Sequence, residues 1–138
     1  MAYDFRLRVV RLLRMAKVNV IIVNWDDKQY LSDCLTSVFE QAYKDFKVIL
    51  IDNGSTDGSV EFVKENYSDV EIVALEKNYG FAKANNVAME RTLREGTNYI
   101  TLLNNDIKVD NSWLGNLVKA MEPDNKMGIC ASKILKIA

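Results

Sequence analysis

The sequence predicts a three-layer α/β/α fold built on a mainly parallel sheet, and three observations carry that expectation. From residue 18 onward the apolar periodicity alternates between strand and helix. The strand runs are continuous apolar stretches of four to six residues, as in sheets buried on both faces. Each run ends in a short polar or acidic loop before the next helix begins. Right-handed crossovers then place the first four strands in the order 3-2-1-4.

Val18–Val23 is the first strand, a β-branched run closed by Asn24-Trp25-Asp26-Asp27. Tyr30, Leu31, Cys34, Leu35, Val38, Phe39 and Ala42 then recur at helical spacing, and Asp26 with Gln29 has the form of a capping pair. Lys47–Ile51 is the second strand, ended by Asp52-Asn53-Gly54. A helix from Gly58 to Tyr67 follows, with Val60, Val63 and Tyr67 inward. Val70–Leu75 is a third strand whose Glu71 places it nearer an edge. Gly80–Glu95 reads as a helix packing Ala84, Val87 and Ala88, stopped by Gly96. Ile100–Leu103 is the fourth strand, Ser112–Met121 a helix ended before Pro123, and Met127–Ile134 a fifth strand.

At 138 residues and 49% apolar content the chain holds one core. Its net charge of −1 removes the electrostatic case for a non-specific nucleic-acid binder. No apolar run approaches the roughly 18 residues of a membrane span. Histidine is absent, which excludes His-based triads and imidazole acid–base chemistry. Cys34 and Cys130 lack metal-ligand spacing and read as buried thiols of a reduced, cytoplasmic protein. Residues 1–14 hold four Arg and one Asp, a net of +3, so residues 15–138 carry −4. The first segment is therefore expected to be a basic extension, and residues 15–138 the domain proper. An amphipathic basic helix there would touch an anionic membrane surface, and the alternative is packing on protein.

The strand ends concentrate the chemistry. Asn24-Trp25-Asp26-Asp27, Asp52-Asn53-Gly54, Asn78-Tyr79-Gly80 and Asn104-Asn105-Asp106 all fall on one rim of the predicted sheet. Asn and Asp are common turn residues, which explains any one of these loops more easily than all four together. Ligands of open α/β sheets sit at the carboxyl ends of the strands, where the strand order reverses. Asp52 is either a turn residue or a carboxylate accepting ligand hydrogen bonds, and Asp57 is a helix N-cap. Asp110 starts the last helix with Ser112. Gly80 either permits the turn or opens a helix N-terminus toward phosphate. Asp106 binds Mg2+ or Mn2+ only if a diphosphate supplies further oxygens. Neither G-x-G-x-x-G after the first strand nor G-x-x-x-x-G-K-[ST] is present, which points to a nucleotide diphosphate–sugar held through a divalent cation.

Four stretches in order, Val20–Trp25, Asp52–Ser59, Asn78–Asn86 and Leu102–Asp106, resemble the successive motifs of family-2 glycosyltransferases of the GT-A fold. The Asn-Asn-Asp variant is similar to rhamnosyltransferase-like members that build surface polysaccharides. The resemblance spans about residues 18–134 and implies an inverting, metal-assisted transferase with a Rossmann-like GT-A domain. It implies that the loop after the first strand, with Asn24 and Trp25, and Asp52 hold base and ribose, that Asn86 lies near the nucleotide, and that Asn53, Asn78 and Gly80 belong to the substrate-binding residues. It implies, further, that Asn104, Asn105 and Asp106 form the motif for diphosphate and metal, with Asp106 as the metal ligand. The donor is expected to be a UDP- or dTDP-sugar and the acceptor a saccharide or lipid-linked saccharide, at the inner face of the membrane. Family members continue further, into a part that carries the acceptor site and general base. The chain is thus expected to be a donor-binding half, truncated and weakly active alone, since losing a general base costs about 10²–10⁴-fold in rate.

Two other readings compete. A receiver-like phosphoacceptor domain fits the length and the acidic pair Asp26 and Asp27, but it places its acceptor after the third strand, whereas Asp52 follows the second. A non-catalytic nucleotide-binding domain that needs a partner chain shares the binding expectation. Ile129, Ile134 and Leu135 near the fifth strand are expected to be exposed, which favours a homodimer.

Overall fold

Alternation along the strands decides how the two faces of the sheet are covered. The computed structural model describes residues 16–135, and among these four strands form one parallel sheet. They are β1 (Val18–Asn24), β2 (Phe46–Asp52), β3 (Val70–Ala74) and β4 (Tyr99–Asn104), in the expected order β3-β2-β1-β4. The helices are α1 (Lys28–Phe39), α2 (Ser59–Asn66), α3 (Phe81–Arg94) and α4 (Trp113–Met121). Val18, Val20 and Ile22 of β1 turn to the face covered by α1, α2 and α4, where they meet Leu31, Leu35, Val38, Val63 and Leu114. Ile21, Ile49 and Ile51 turn to the opposite face, where the small Ala84 and Ala88 let α3 lie close. Each fully buried Ile or Leu contributes about 1.5–3 kcal/mol relative to exposure.

The register brings the strand ends level. Asn24 pairs with Asp52, Asp52 with Ala74, and Val23 with Asn104. The chain moves outward from β1 to β3 and then crosses to β4 on the other side of β1, so the order reverses between β1 and β4. At the far end of the sheet, Lys47 of β2 pairs with Glu71 of β3 and, at 3.1 Å, with Glu95 just after α3. Arg91 of α3 joins both carboxylates. The part-exposed network holds β3 against α3, and each such pair is worth at most about 1 kcal/mol.

Several expectations are corrected. Residues 127–134 form no strand: they run beside α4, where Trp113 Nε1 donates to Ser132 Oγ and Cys130 Sγ approaches the Leu117 carbonyl. A strand needs a hydrogen-bonded neighbour, and the described sheet ends at β4. The inner face of α3 buries Asn85 and Thr92 beside the two alanines, while Val87 is only half-buried. Tyr30 and Ala42 are exposed. Cys34 is buried, but Cys130 is only partly so. Asp26 does not cap α1, since Asp27 holds that position and bonds no helix amide through its side chain. The basic extension expected over residues 1–14, with its membrane contact, lies outside the described residues.

One polar core residue stands out. Asn19, on the α3-facing side of β1, is fully buried, and neither its Oδ1 nor its Nδ2 has a hydrogen-bond partner among the described residues. An unsatisfied buried amide costs about 1–3 kcal/mol. Asn19→Val is therefore expected to stabilise the chain by about 1 kcal/mol, and thermal unfolding should show a midpoint several degrees higher.

Candidate functional site

Short loops leaving level strand ends have few conformations open to them, and here they are bonded to one another. Asn24, fully buried, is the junction. Its Nδ2 donates to Asp52 Oδ1 at 3.4 Å and to Ser55 Oγ at 3.2 Å, and its Oδ1 accepts from Asn105 Nδ2 at 2.9 Å. Asp52, 2% exposed, accepts the Ser55 amide at 2.9 Å on its other oxygen. Asp26, at a φ of 50°, accepts the Thr56 amide at 2.6 Å, and Asp57 accepts the Lys28 amide at 2.9 Å. The loops after β1 and β2 are thereby cross-linked.

A second clasp joins the loops after β2 and β3. Asn53 Nδ2 donates to Asn78 Oδ1 at 2.8 Å, and Asn53 Oδ1 accepts the Tyr79 amide at 3.0 Å. Asn78 Oδ1 also accepts the Gly80 amide at 2.8 Å. Gly54 makes this approach feasible, because a Cβ there would stand 2.5 Å from Lys77 Cα. Its φ of +80° is also the left-handed backbone that side chains disfavour.

Above this framework lies a hollow of about 350 Å³, a size that suits a small ligand. Seven of the ten expected site residues line it: Trp25, Asn53, Asn78, Gly80, Asn104, Asn105 and Asp106. Val23, Asp27 and Phe81 complete the lining. Asn24 and Asp52 are not in the lining, being buried and bonded to each other and to Ser55. Asn86 is exposed on α3, away from the hollow. Phe81 and Asp27 were not singled out from sequence, Asp27 being included only as part of the loop after the first strand. The signals were present, an aromatic at a helix start and the second acid of a pair, but neither reveals which way a side chain points. Trp25 and Phe81 are 52% and 60% exposed, two open aromatic surfaces on one hollow.

The electrostatics divide the site. Asp27 and Asp106 bring carboxylates to the lining. Among the described residues, no three or more His, Cys, Asp or Glu side chains converge as a metal site. The donor set therefore fits a cation that brings phosphate oxygens and water of its own, and does not fit a cation held by protein alone. Burial, with the Asp106 charge adding to it, pushes the Cys34 thiol up to about 12, so it stays protonated. Asp57 stands below the usual carboxylate range. Its partial burial works the other way, but bonds from the Ser59 hydroxyl and from the Lys28 and Ser59 amides outweigh it. A second hollow of about 390 Å³ is lined by Val87 and charged residues of α3 and its end, with no loop from the strand ends.

An open parallel sheet with a ligand-sized hollow at its switch point defines an α/β protein whose candidate ligand site lies at the carboxyl ends of its strands. The sequence signature of Glycosyl transferase family 2 matches residues 19–136, and the chain belongs to that family. The putative teichuronic acid biosynthesis glycosyltransferase TuaG of Bacillus subtilis is 33% identical over 95 residues, which cover 66% of this chain and 36% of that protein. The mannosyltransferase PcManGT of Pyrobaculum calidifontis, solved with GDP-Man and Mn2+, superposes with a TM-score of 0.70 at 24% identity, covering 90% of this chain and 40% of that one. Staphylococcus aureus TarS 1–349, solved with UDP-GlcNAc, gives 0.69 at 21%, covering 84% of this chain and 37% of that one. The fold is thus that of the GT-A glycosyltransferases. The chain spans between 11% and 41% of the length of eight curated relatives that it matches. Family membership and the strand order decide against the receiver reading, and Asp52, buried at 2% exposure, is no accessible phosphoacceptor.

Proposed function

We propose that the chain is the donor-binding part of an inverting, nucleotide-sugar-dependent glycosyltransferase. One observation carries the reading: four strand-end loops converge on a single hollow at the switch point, with aromatic rings and carboxylates in its lining. Trp25 and the loop after β1 take the base and ribose, supported from beneath by Asn24 and Asp52. Asn104, Asn105 and Asp106 face the diphosphate, and Asp106 with the diphosphate holds Mg2+ or Mn2+. When bound, the cation stabilises negative charge on the leaving diphosphate.

In the reaction an acceptor hydroxyl oxygen bonds to the anomeric carbon from the face opposite the diphosphate. The bond from that carbon to the phosphate oxygen breaks, and the hydroxyl proton passes to a general base. We assign that base to none of the residues of the hollow. The reading places it, with the saccharide or lipid-linked acceptor site, in the part of the family fold beyond the matched length. The solved relatives with UDP-GlcNAc and with GDP-Man and Mn2+ support the ligand class and leave the base open between UDP, dTDP and GDP.

Titration calorimetry with UDP, dTDP and GDP, each with Mn2+ or Mg2+, tests the reading. At least one metal–nucleotide complex should bind with a dissociation constant at or below the millimolar range, and more tightly than its nucleoside. Absence of binding by all three at millimolar concentration would overturn it.

A further inference from the structure

Three polar side chains lie where α1 faces the apolar core. Cys34 and Ser37 are 1% and 2% exposed, and Gln41, just past the helix end, is fully buried. Their spacing of three and four residues puts them on one face, beside Leu35, Val38 and Leu114. Apolar residues would serve a core better there unless every polar group found a use. All three turn to one stretch of chain. The Cys34 thiol donates to the Asn104 carbonyl at 3.6 Å, and Ser37 Oγ accepts the Val109 amide at 3.1 Å. Gln41 Nε2 donates to the Asp110 carbonyl at 2.6 Å, while its Oε1 accepts the Leu114 amide at 2.9 Å.

That stretch, Asn104–Leu114, links β4 to α4 and carries Asp106. Ile107–Asp110 has no regular structure; the Ile107 amide bonds to the Asn104 carbonyl and the Trp113 amide to the Asp110 carbonyl, while the Val109 amide takes its partner from α1. Asp106 itself is exposed, and Asn104 and Val109 on either side of it are both bonded to α1.

We infer that Cys34, Ser37 and Gln41 are positioning residues for Asp106: they fix the backbone on both sides of it and thereby set the affinity of the hollow for a metal-bound diphosphate. The inference rests on the function proposed above in taking a metal–nucleotide complex as the ligand. A hydrogen-bonded loop holds a carboxylate in one place before the ligand arrives, and positioning of that kind is lost when its anchors are removed although no contact to the ligand changes.

The test uses Ser37→Ala and Gln41→Met in the full chain, each alone and combined with Asp106→Asn. Calorimetry measures Mn2+–UDP and uridine, and amide exchange follows the Val109 and Leu114 amides. Each single variant should bind Mn2+–UDP about 3- to 10-fold more weakly and uridine unchanged, with faster exchange at the amide it released. In the Asp106→Asn background the same substitutions should cost nothing further, the non-additivity expected of groups that act through one another. Unchanged Mn2+–UDP affinity, or an equal loss in both backgrounds, would overturn the inference and leave the three side chains a purely structural role. If the unaltered chain binds neither ligand, the proposed function fails instead. Exchange then judges the seam: unaltered protection at Val109 in Ser37→Ala overturns it, and faster exchange there supports it.

Discussion

Asp106→Ala is expected to lower the affinity for a Mn2+–nucleoside diphosphate complex by about 10- to 100-fold while leaving nucleoside binding unchanged. Loss of groups that merely orient a metal ligand already costs about that much. Asp106 is exposed at the tip after β4 and lines the hollow beside Asn104 and Asn105, whose amides carry no charge to replace it. The base and ribose are assigned to the neighbouring loop after β1, at Trp25, so the two halves of the ligand should report separately. Stability should stay within about 0.5 kcal/mol, as for exposed positions generally. Calorimetry with and without metal measures the first effect and thermal unfolding the second. An Asp106→Ala protein that binds the metal complex as the original does would remove this residue from the site.

The largest stability effect is expected from Gly54→Ala, at about 3 kcal/mol or more. Two costs add there. The backbone φ of +80° disfavours any side chain by about 1 kcal/mol or more, and the new Cβ would stand 2.5 and 2.6 Å from Lys77 Cα and carbonyl carbon. Those neighbours are backbone atoms and cannot swing aside as a side-chain tip would. The chain must instead part the loops after β2 and β3, which strains the Asn53–Asn78 bond and the Asn53–Tyr79 bond. Thermal unfolding should show a midpoint lower by about 10 °C or more. Since Asn53, Asn78 and Gly80 line the hollow, nucleoside affinity should fall as well. A protein of unchanged stability would mean that the two loops do not meet at this glycine.

The strand order was legible because continuous apolar runs such as Val20–Val23 admit little besides a buried parallel strand, and handedness then fixes the crossovers. The edge position of β3 was legible from one residue, Glu71, which the structure uses in ion pairs. The Met127–Ile134 strand was misread because apolar content describes a segment alone, while pairing depends on what lies next to it. Val87 was misread for a related reason: α3 buries Asn85 and Thr92 through bonds to the carbonyls of Phe81 and Met89 in its own helix, so polarity did not keep them out. For the site, the loops were legible and their inward and outward sides were not. Asn24 and Asp52 share a sequence signature with Asn53 and Asn105, yet the first two lie outside the lining of the hollow and the second two are part of it, Asn53 although it is as buried as Asp52. Direction of that kind is set by the register of neighbouring strands, Asn24 against Asp52, which no single segment encodes.

The Lys47–Glu71–Arg91–Glu95 network also bears on how the chain avoids sticking to copies of itself. β3 is an outer strand of only five residues, and Glu71 near its start is already engaged by two cations. A foreign strand laid along it would have to cover ionised groups to gain a few backbone bonds, which makes a poor template for polymerisation. The other outer strand of the described sheet, β4, has no such guard, and its Leu102 is 47% exposed. Where self-association begins, it is therefore expected along β4, on the side where the Asp106 loop leaves the sheet.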